Sequence, residues 1–395
     1  SVPVGVPYYG LIPWEETVAE RLKSVGYSTA IFGKWHLGKT KGRFPTDQGF
    51  DQWYGIPDSS GDAVRLSDWV DQQSIRQDME ASLPMSEYPW IYQAKSGEKP
   101  KKVKAFDLEA KRLIDADLIE MTSNYIRQNA KANKPFFAYV PLTAMHFPTE
   151  PHPDFAGKSG HGIYTDLLMQ VDNYVGRLQN AVKQAGIEDN TIFIFTADNG
   201  AEHSDNGNGQ YSGWTGPWRG TYFTAMEGGL RVPLIAKWPG KIQAGARSNE
   251  IVHLVDLFPT LLQAAGADVP KDRIIDGKPM NKFFTGQSDK SPRDGFLIYV
   301  GSELYAIKWH DWKAHFIWQE TKYSPKQEYS TVAKVVNLVL DPREERQAIE
   351  PVNSWIQYPG IRMIVDFKKS QYLQKNIPLG APNSYIPKPI KTIKK

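Results

Sequence analysis

Several side chains in this sequence have the types and spacing to handle an oxyanion beside a divalent cation. Lys34 and His36 stand two positions apart in "AIFGKWHLGK", framed by Gly33 and Gly38. His146 lies in "TAMHFPTEPH", and "TADNGAEHSD" offers Asp198, Asn199, Glu202 and His203. Ammonium and imidazole groups bind anion oxygens through charge-assisted hydrogen bonds. Asp and Asn provide the hard oxygen ligands that calcium or magnesium takes, and such an ion neutralises charge and acts as a Lewis acid. Each piece alone has a plainer explanation: a solvated Lys next to a packed His, a packed His146, or a D-N-G turn. Taken together they describe a site for a tetrahedral oxyanion next to a metal.

The elements needed to position these groups are legible. "STAIFG", "PFFAYVPL" and "NTIFIFTADNG" read as short apolar strands, and each one feeds one of the three candidate loops. In open parallel sheets, ligands sit beyond the carboxyl ends of the strands. Between the strands lie helical stretches. "PWEETVAERLKSVGY" has Pro13 in its first turn and Gly26 as its stop, and Val18, Leu22 and Val25 share a face. "DLEAKRLIDADLIEMTSNYIRQNA", "GIYTDLLMQVDNYVGRLQNAVKQAG" and "IVHLVDLFPTLLQAAG" also read as helices. This alternation predicts an α/β core with a mainly parallel sheet flanked by helices. Residues 58–104 read as polar surface loops. After about Gly286 the texture changes, and "GFLIYVGSELYAIKWHDWKAHFIW" reads as consecutive antiparallel strands. The expected domains are therefore a catalytic α/β domain over 1–286 and a smaller α+β subdomain over 287–395.

Composition narrows the function classes. Of 395 residues, 41% are hydrophobic and 23% charged, as in ordinary globular chains. The net charge of +3, from 47 basic and 44 acidic residues, gives no nucleic-acid footprint, and the basic tail "KPIKTIKK" reads as a solvated terminus. No apolar run approaches the roughly 18 residues of a membrane span. With no cysteine, disulfides, thiolate metal sites and a Cys nucleophile are excluded. The opening "SVPVGVPYYG" has neither the basic nor the apolar region of a signal peptide. Fingerprints for dinucleotides, P-loops, G-x-S-x-G hydrolases, H-E-x-x-H metalloproteases and EF-hands do not occur.

In order along the chain, "GLIPWEETVAERLKSVGYSTAIFGKWHLGK", "PTDQGFDQWYGIP", "PLTAMHFPTEP", "TADNGAE", "EGGLRVPLIAKWPGKI", "VDLFPTLLQAAG" and "VVNLVLDPRE" resemble the type I sulfatases of the alkaline phosphatase superfamily. The likeness extends over nearly the whole chain. It implies an alkaline-phosphatase-like fold and a sulfuric ester hydrolase acting on a small-molecule or carbohydrate sulfate ester. Lys34, His36 and His146 match the sulfate-binding side chains of the family. Asp198 and Asn199 match two of its metal ligands, usually for calcium, and the family favours a periplasmic or secreted location. Tyr222 in "WRGTYFTAMEGG" falls where a second active-site Lys is implied, and Arg219 is the nearest cation that could replace it.

The family also begins with a strand ending in paired Asp residues and carries C/S-x-P-x-R, whose first residue becomes the formylglycine nucleophile. Neither motif occurs in these 395 residues; "SVPVG" has Gly5 in place of the Arg, so Ser1 is not expected to serve. The expectation is a chain lacking that N-terminal part, inactive alone, with an open strand edge along "TIFIF" or a neighbour that another polypeptide could cover, hence a possible oligomer. Two alternatives stay open: a phosphatase or phosphonate hydrolase of the same superfamily, and a non-catalytic homologue.

Overall fold

The computed structural model describes residues 9–66, 89–202, 213–329, 333–346 and 355–391. It divides into two compact units. The first comprises Ser1–Thr191, Leu261–Asp268 and Ile377–Ile386, and the second Ile192–Thr260, Val269–Asn376 and Pro387–Lys395.

The first unit is built on a five-stranded sheet. Its strands are β1 (Ser28–Phe32), β2 (Gln52–Gly55), β3 (Trp90–Lys95), β4 (Lys101–Ala105) and β5 (Phe136–Tyr139), in the order β4-β3-β2-β1-β5. β1 runs parallel to both neighbours, β2 and β5, while β3 and β4 add antiparallel to the β2 side. All five residues of β1 are buried. Alternation sends Ala30 and Phe32 to one face and Ile31 to the other. Ala30 and Phe32 pack with Ile56, Ile114 and Leu118, and Ile31 packs with Ala19, Phe50 and Trp53. Both faces are thus covered, as parallel strands require.

Three helices serve this sheet. α1 (Val18–Ser24) starts five residues later than its Pro suggested. The reason is a reciprocal cap: the Thr17 hydroxyl accepts from the Glu20 N–H and the Glu20 carboxylate accepts from the Thr17 N–H. α2 (Leu108–Lys131) is capped by Asp107, whose side chain accepts from the Ala110 N–H, and it packs against α3 (Ile163–Gln184). The β3–β4 hairpin corrects the expectation of loops over 58–104, of which residues 67–88 lie outside the described residues. β4 reads "KKVKA" and is exposed over four of its five positions. Lysines on an edge strand deter strand addition and also erase the hydrophobic pattern that would reveal it.

In the second unit, β6 (Phe193–Thr196) pairs antiparallel with β7 (Leu234–Lys237). The strongest strand signal in the chain therefore sits in a two-stranded ladder. α4 (Glu227–Leu230) lies between them in sequence, α5 (Leu257–Ala264) is divided between the second unit (to Thr260) and the first (from Leu261), and α6 (Asn281–Phe284) follows. The expected antiparallel sheet is present: β8 (Gly295–Val300), β9 (Glu303–Trp309), β10 (Trp312–His315) and, after a two-stranded ladder of β11 (Ile317–Trp318) with β12 (Gln327–Glu328), β13 (Lys334–Asn337). Its order is β13-β10-β9-β8, and α7 (Gln357–Leu373) packs on β8 and β9. This sheet belongs to the same compact unit as residues 192–260.

A buried charge cluster ties α4 to this sheet. Glu227 accepts from Lys308 (2.5 Å), Lys313 (3.1 Å) and Arg231 (2.5 Å). Glu344 accepts from the His315 Nε2 (2.7 Å), from Lys313 and from the Glu227 backbone N–H (2.6 Å). Burial works to raise the Glu227 carboxyl, but Lys313, Lys308 and Arg231 outweigh it and hold it well below the usual range.

Candidate active site

Where β1 ends, the backbone is fastened on both sides, three times to the segment of β2 and once to that of β5. Gly33 N–H donates to Tyr54 O (2.9 Å), Lys34 N–H to Pro141 O (3.0 Å), Trp35 N–H to Ile56 O (2.9 Å) and His36 N–H to Pro57 O (2.9 Å). Gly33 has φ +142°, and a Cβ there would stand 2.0 Å from the Pro141 carbonyl oxygen. Only glycine lets the three chains approach so closely. His36 itself sits in the left-handed region at φ +54°, an uncommon conformation for a non-glycine residue.

His36 is the most perturbed group here. Its pKa falls to about 4, first through burial, then through Lys34, with His146 adding to the depression and Asp58 opposing it. Asp58 is itself paired with Lys39. The Nε2 of His36 is buried and has no hydrogen-bond partner among the described residues. A buried polar nitrogen left unsatisfied is costly and calls for a partner.

His146 is carried on the loop after β5. Buried Asp115 of α2 pins that loop, accepting from the Thr143 N–H (2.8 Å), the Thr143 hydroxyl (2.9 Å) and the Ala144 N–H (2.8 Å). The peptide bonds Ala144–Met145 and Phe147–Pro148, on either side of His146, are cis. The Nδ1 of His146 lies 2.5 Å from Phe147 O. A carbonyl can only accept, so Nδ1 carries the hydrogen and Nε2 holds the lone pair of the neutral ring. Lys111, fully buried on α2, lies within electrostatic reach of Lys34; burial lowers its pKa, Asp115 and Glu150 oppose this, and Lys34 lowers it further. Lys34, His36 and His146 are thus brought together in the first unit. Lys111, Asp115 and Asp58 were missed from sequence. The visible signal was two charged residues on the apolar face of α2, in register with Ile114 and Leu118.

Asp198, Asn199 and Arg219 belong to the second unit. The turn after β6 is stitched to α4: Gly200 N–H donates to Gly229 O (3.0 Å), and a Cβ on Gly200 would lie 1.8 Å from Gly228 O. Asp198 is exposed. The Nδ2 of Asn199 donates to Gly200 O (2.9 Å), which leaves its Oδ1 as an acceptor. Burial raises the Tyr222 pKa, with Asp198 and then Glu202 adding to the rise and Lys322, the ion-pair partner of Glu202, opposing it. Arg219 pairs with Glu320 and lies over the Trp318 ring at 5.5 Å. His203 and Ser1 lie outside the described residues. Among the described residues no group of three or more His, Asp or Glu side chains is arranged to hold a metal. Asp198 and Asn199 suit a hard cation in kind, and two oxygen donors fill only part of the 6–8 places calcium takes. Among the described residues no helix is long and apolar enough to cross a membrane.

The mixed sheet, its helical cover and the antiparallel C-terminal sheet define a class, the alkaline-phosphatase-like hydrolase fold. A solved sulfatase from Pseudoalteromonas sp., PsFucS1, superposes with a TM-score of 0.83 at 26% identity, over 93% of this chain and 75% of that one. The family model for sulfatases matches residues 3–267, and the model for the N-sulphoglucosamine sulphohydrolase C-terminal region matches 222–354. The chain therefore belongs to the sulfatase family, the type I sulfatases of the alkaline phosphatase superfamily. It is 30% identical to N-acetylgalactosamine-6-sulfatase of Canis lupus familiaris over 380 residues, covering 92% of this chain and 67% of that protein. It is 33% identical to human arylsulfatase A over 335 residues, covering 80% and 61% respectively. The chain thus spans about two thirds or less of these curated relatives.

Proposed function

We propose that the chain serves sulfate-ester hydrolysis on a sulfated carbohydrate, with Lys34, His36 and His146 as the groups that hold the sulfate. The buried Nε2 of His36, lacking a partner and flanked by Lys34 and His146, carries this reading. With a pKa of about 4 His36 is neutral at pH 7, and in the tautomer with its hydrogen on Nε2 it donates to a sulfate oxygen. Lys34 supplies the positive charge, and preorganised donors of this kind stabilise charge developing on the oxyanion. His146 keeps its Nδ1 hydrogen on Phe147 O and is exposed, so its Nε2 can take a proton from solvent and pass it, as the imidazolium, to the departing alcohol oxygen. Asp198 and Asn199 would hold a calcium or magnesium ion, whose chemistry is charge neutralisation on the ester oxygens. The formylglycine of the family has no matching residue in these 395 residues. The relatives named for sulfated sugars, N-acetylgalactosamine-6-sulfatase among them, support a carbohydrate substrate, and the family supports a periplasmic or secreted location.

Calorimetric titration with inorganic sulfate tests the proposal. Wild type should bind sulfate, with phosphate as competitor, and Lys34→Ala and His36→Asn should each weaken binding by about tenfold or more. Undiminished sulfate affinity in both variants would remove these residues from the site. A strong preference for phosphate would move the chain to the phosphatase branch.

A further inference from the structure

We propose that Asn383 and Arg43 are positioning residues of the oxyanion site, through which the segment Ile377–Ile386 braces the loop that presents Lys34 and His36; this rests on the sulfate reading. The segment is grouped with the first unit, although the residues on either side of it belong to the second. Its contacts with the loop form an unbroken series. The Oδ1 of Asn383 accepts from the Arg43 Nε (2.9 Å) and its Nδ2 donates to Lys41 O (2.8 Å), so one planar amide holds two residues of the loop. The Arg43 guanidinium also donates to Ala381 O and to Gly10 O (3.2 Å), and the residue is buried. The Arg43 carbonyl in turn accepts from the Trp35 Nε1 (2.9 Å). Trp35, itself buried, stands between Lys34 and His36.

The backbone is packed to match. A Cβ on Gly42 would run into the Asn383 Nδ2, and one on Gly38 would lie 2.8 Å from the Arg43 Cβ. The left-handed φ of His36 gives the brace a purpose, because such a conformation in a non-glycine residue persists only where its surroundings over-determine it. Backbone bonds to Ile56 and Pro57 hold residues 35 and 36 from one side. The Trp35 indole adds a side-chain hold on the same stretch, and Arg43 supplies its acceptor.

The residue types suit the task. The guanidinium is a rigid, permanently charged fork with several donors, so Arg43 can reach separate segments at once, and its bonds are stronger than those of a neutral donor. Asn383 is exposed, so removing its amide empties no core cavity, and an effect felt at Trp35 travels through the loop. An aspartate in its place could still accept from Arg43 but could not donate to Lys41 O.

The test joins two readouts on the full chain: calorimetry with inorganic sulfate, and NMR spectra of the tryptophan indole N–H groups, with Trp35 assigned through Trp35→Phe. Asn383→Ala should weaken sulfate binding about three- to tenfold and shift the Trp35 indole resonance. Asn383→Asp, which keeps an acceptor on Arg43, should stay within about twofold of wild type and restore that resonance. Asn337→Ala, which removes hydrogen bonds to the Val339 and Leu340 N–H groups in the second unit, is the control for lost stability and should leave both readouts unchanged. Unchanged sulfate affinity in Asn383→Ala, an equal loss in Asn383→Asp, or an equal loss in Asn337→Ala overturns the proposal. A Trp35 shift in Asn383→Ala that Asn383→Asp reverses, with no sulfate binding by wild type, would uphold the brace and sink the sulfate reading.

Discussion

Around Glu227 and Glu344, each of four buried carboxylate oxygens meets at least one donor, supplied by Lys308, Lys313, Arg231, His315 and a backbone N–H. Around Lys34 and His36 the balance is different. The imidazole is pressed toward neutrality by burial, by Lys34 and by His146, the nearby acid Asp58 is occupied by Lys39, and Nε2 is left buried and unmatched. One group of charges has its carboxylates satisfied from within and joins a short helix to a sheet, although its His315 Nδ1, like the His36 Nε2, is buried without a hydrogen-bond partner among the described residues. The other gathers Lys34, His36 and His146 at a strand end, and there the proposed partner is an anion from outside. Buried charge becomes a structural tie when its partners are internal, and a binding site when they must come from a ligand.

The largest expected effect lies in the closed cluster. Glu344→Ala removes an acceptor from Lys313, which is fully buried, and should destabilise the fold by about 3–5 kcal/mol, because an uncompensated buried charge remains. Urea unfolding measures this, and a loss below about 1 kcal/mol would show that the cluster does not hold the sheet. Gly33→Ala comes next. Its Cβ cannot coexist with Pro141 O at 2.0 Å, so β1 and the Pro141 segment must part, at a cost of about 1–3 kcal/mol, with sulfate binding lost as Lys34 is displaced. Wild-type sulfate affinity in that variant would show that the strand spacing does not set the site. Lys34→Ala should change stability by less than about 1 kcal/mol and yet lower sulfate affinity about tenfold. That inversion of the Glu344 result is the sharpest form of the comparison.

The smallest effect is in pH dependence. The folded pKa of His36, about 4, lies below the roughly 6.5 of an unfolded chain, so the unfolded state binds more protons in that window. Its contribution to stability is complete above about pH 6.5 and is lost as pH falls toward 4. Buried His315 is shifted in the same direction, so the His36 share is read from the difference between wild type and His36→Asn. Saturating sulfate should shrink that difference, since an anion beside the imidazole favours its charged form and raises its pKa. An unchanged difference at saturating sulfate would place the anion elsewhere.

From sequence alone came α1, α2, α3 and α5, the buried strand β1, the antiparallel C-terminal sheet and the residues Lys34, His36, His146, Asp198 and Asn199 as candidates, while α7 (Gln357–Leu373), with Pro359 and Gly360 in its first turn, was missed. These follow from local rules: periodicity, caps, glycine at sharp turns and polar residues at strand ends. What stayed hidden depended on partners far along the chain. "NTIFIF" has every mark of a strand, but its pairing with Leu234–Lys237 is antiparallel, and no local pattern states which strand a strand will choose. Arg219 reads as a spare cation until Glu320, about a hundred residues later, is found against it. Asp115 reads as an ordinary helix residue until its carboxylate is found holding the His146 loop. Residue types and their local spacing determined what chemistry was on offer. Burial and long-range pairing, which exist only once the chain has folded, decided which charges were matched and left the His36 Nε2 without a hydrogen-bond partner among the described residues.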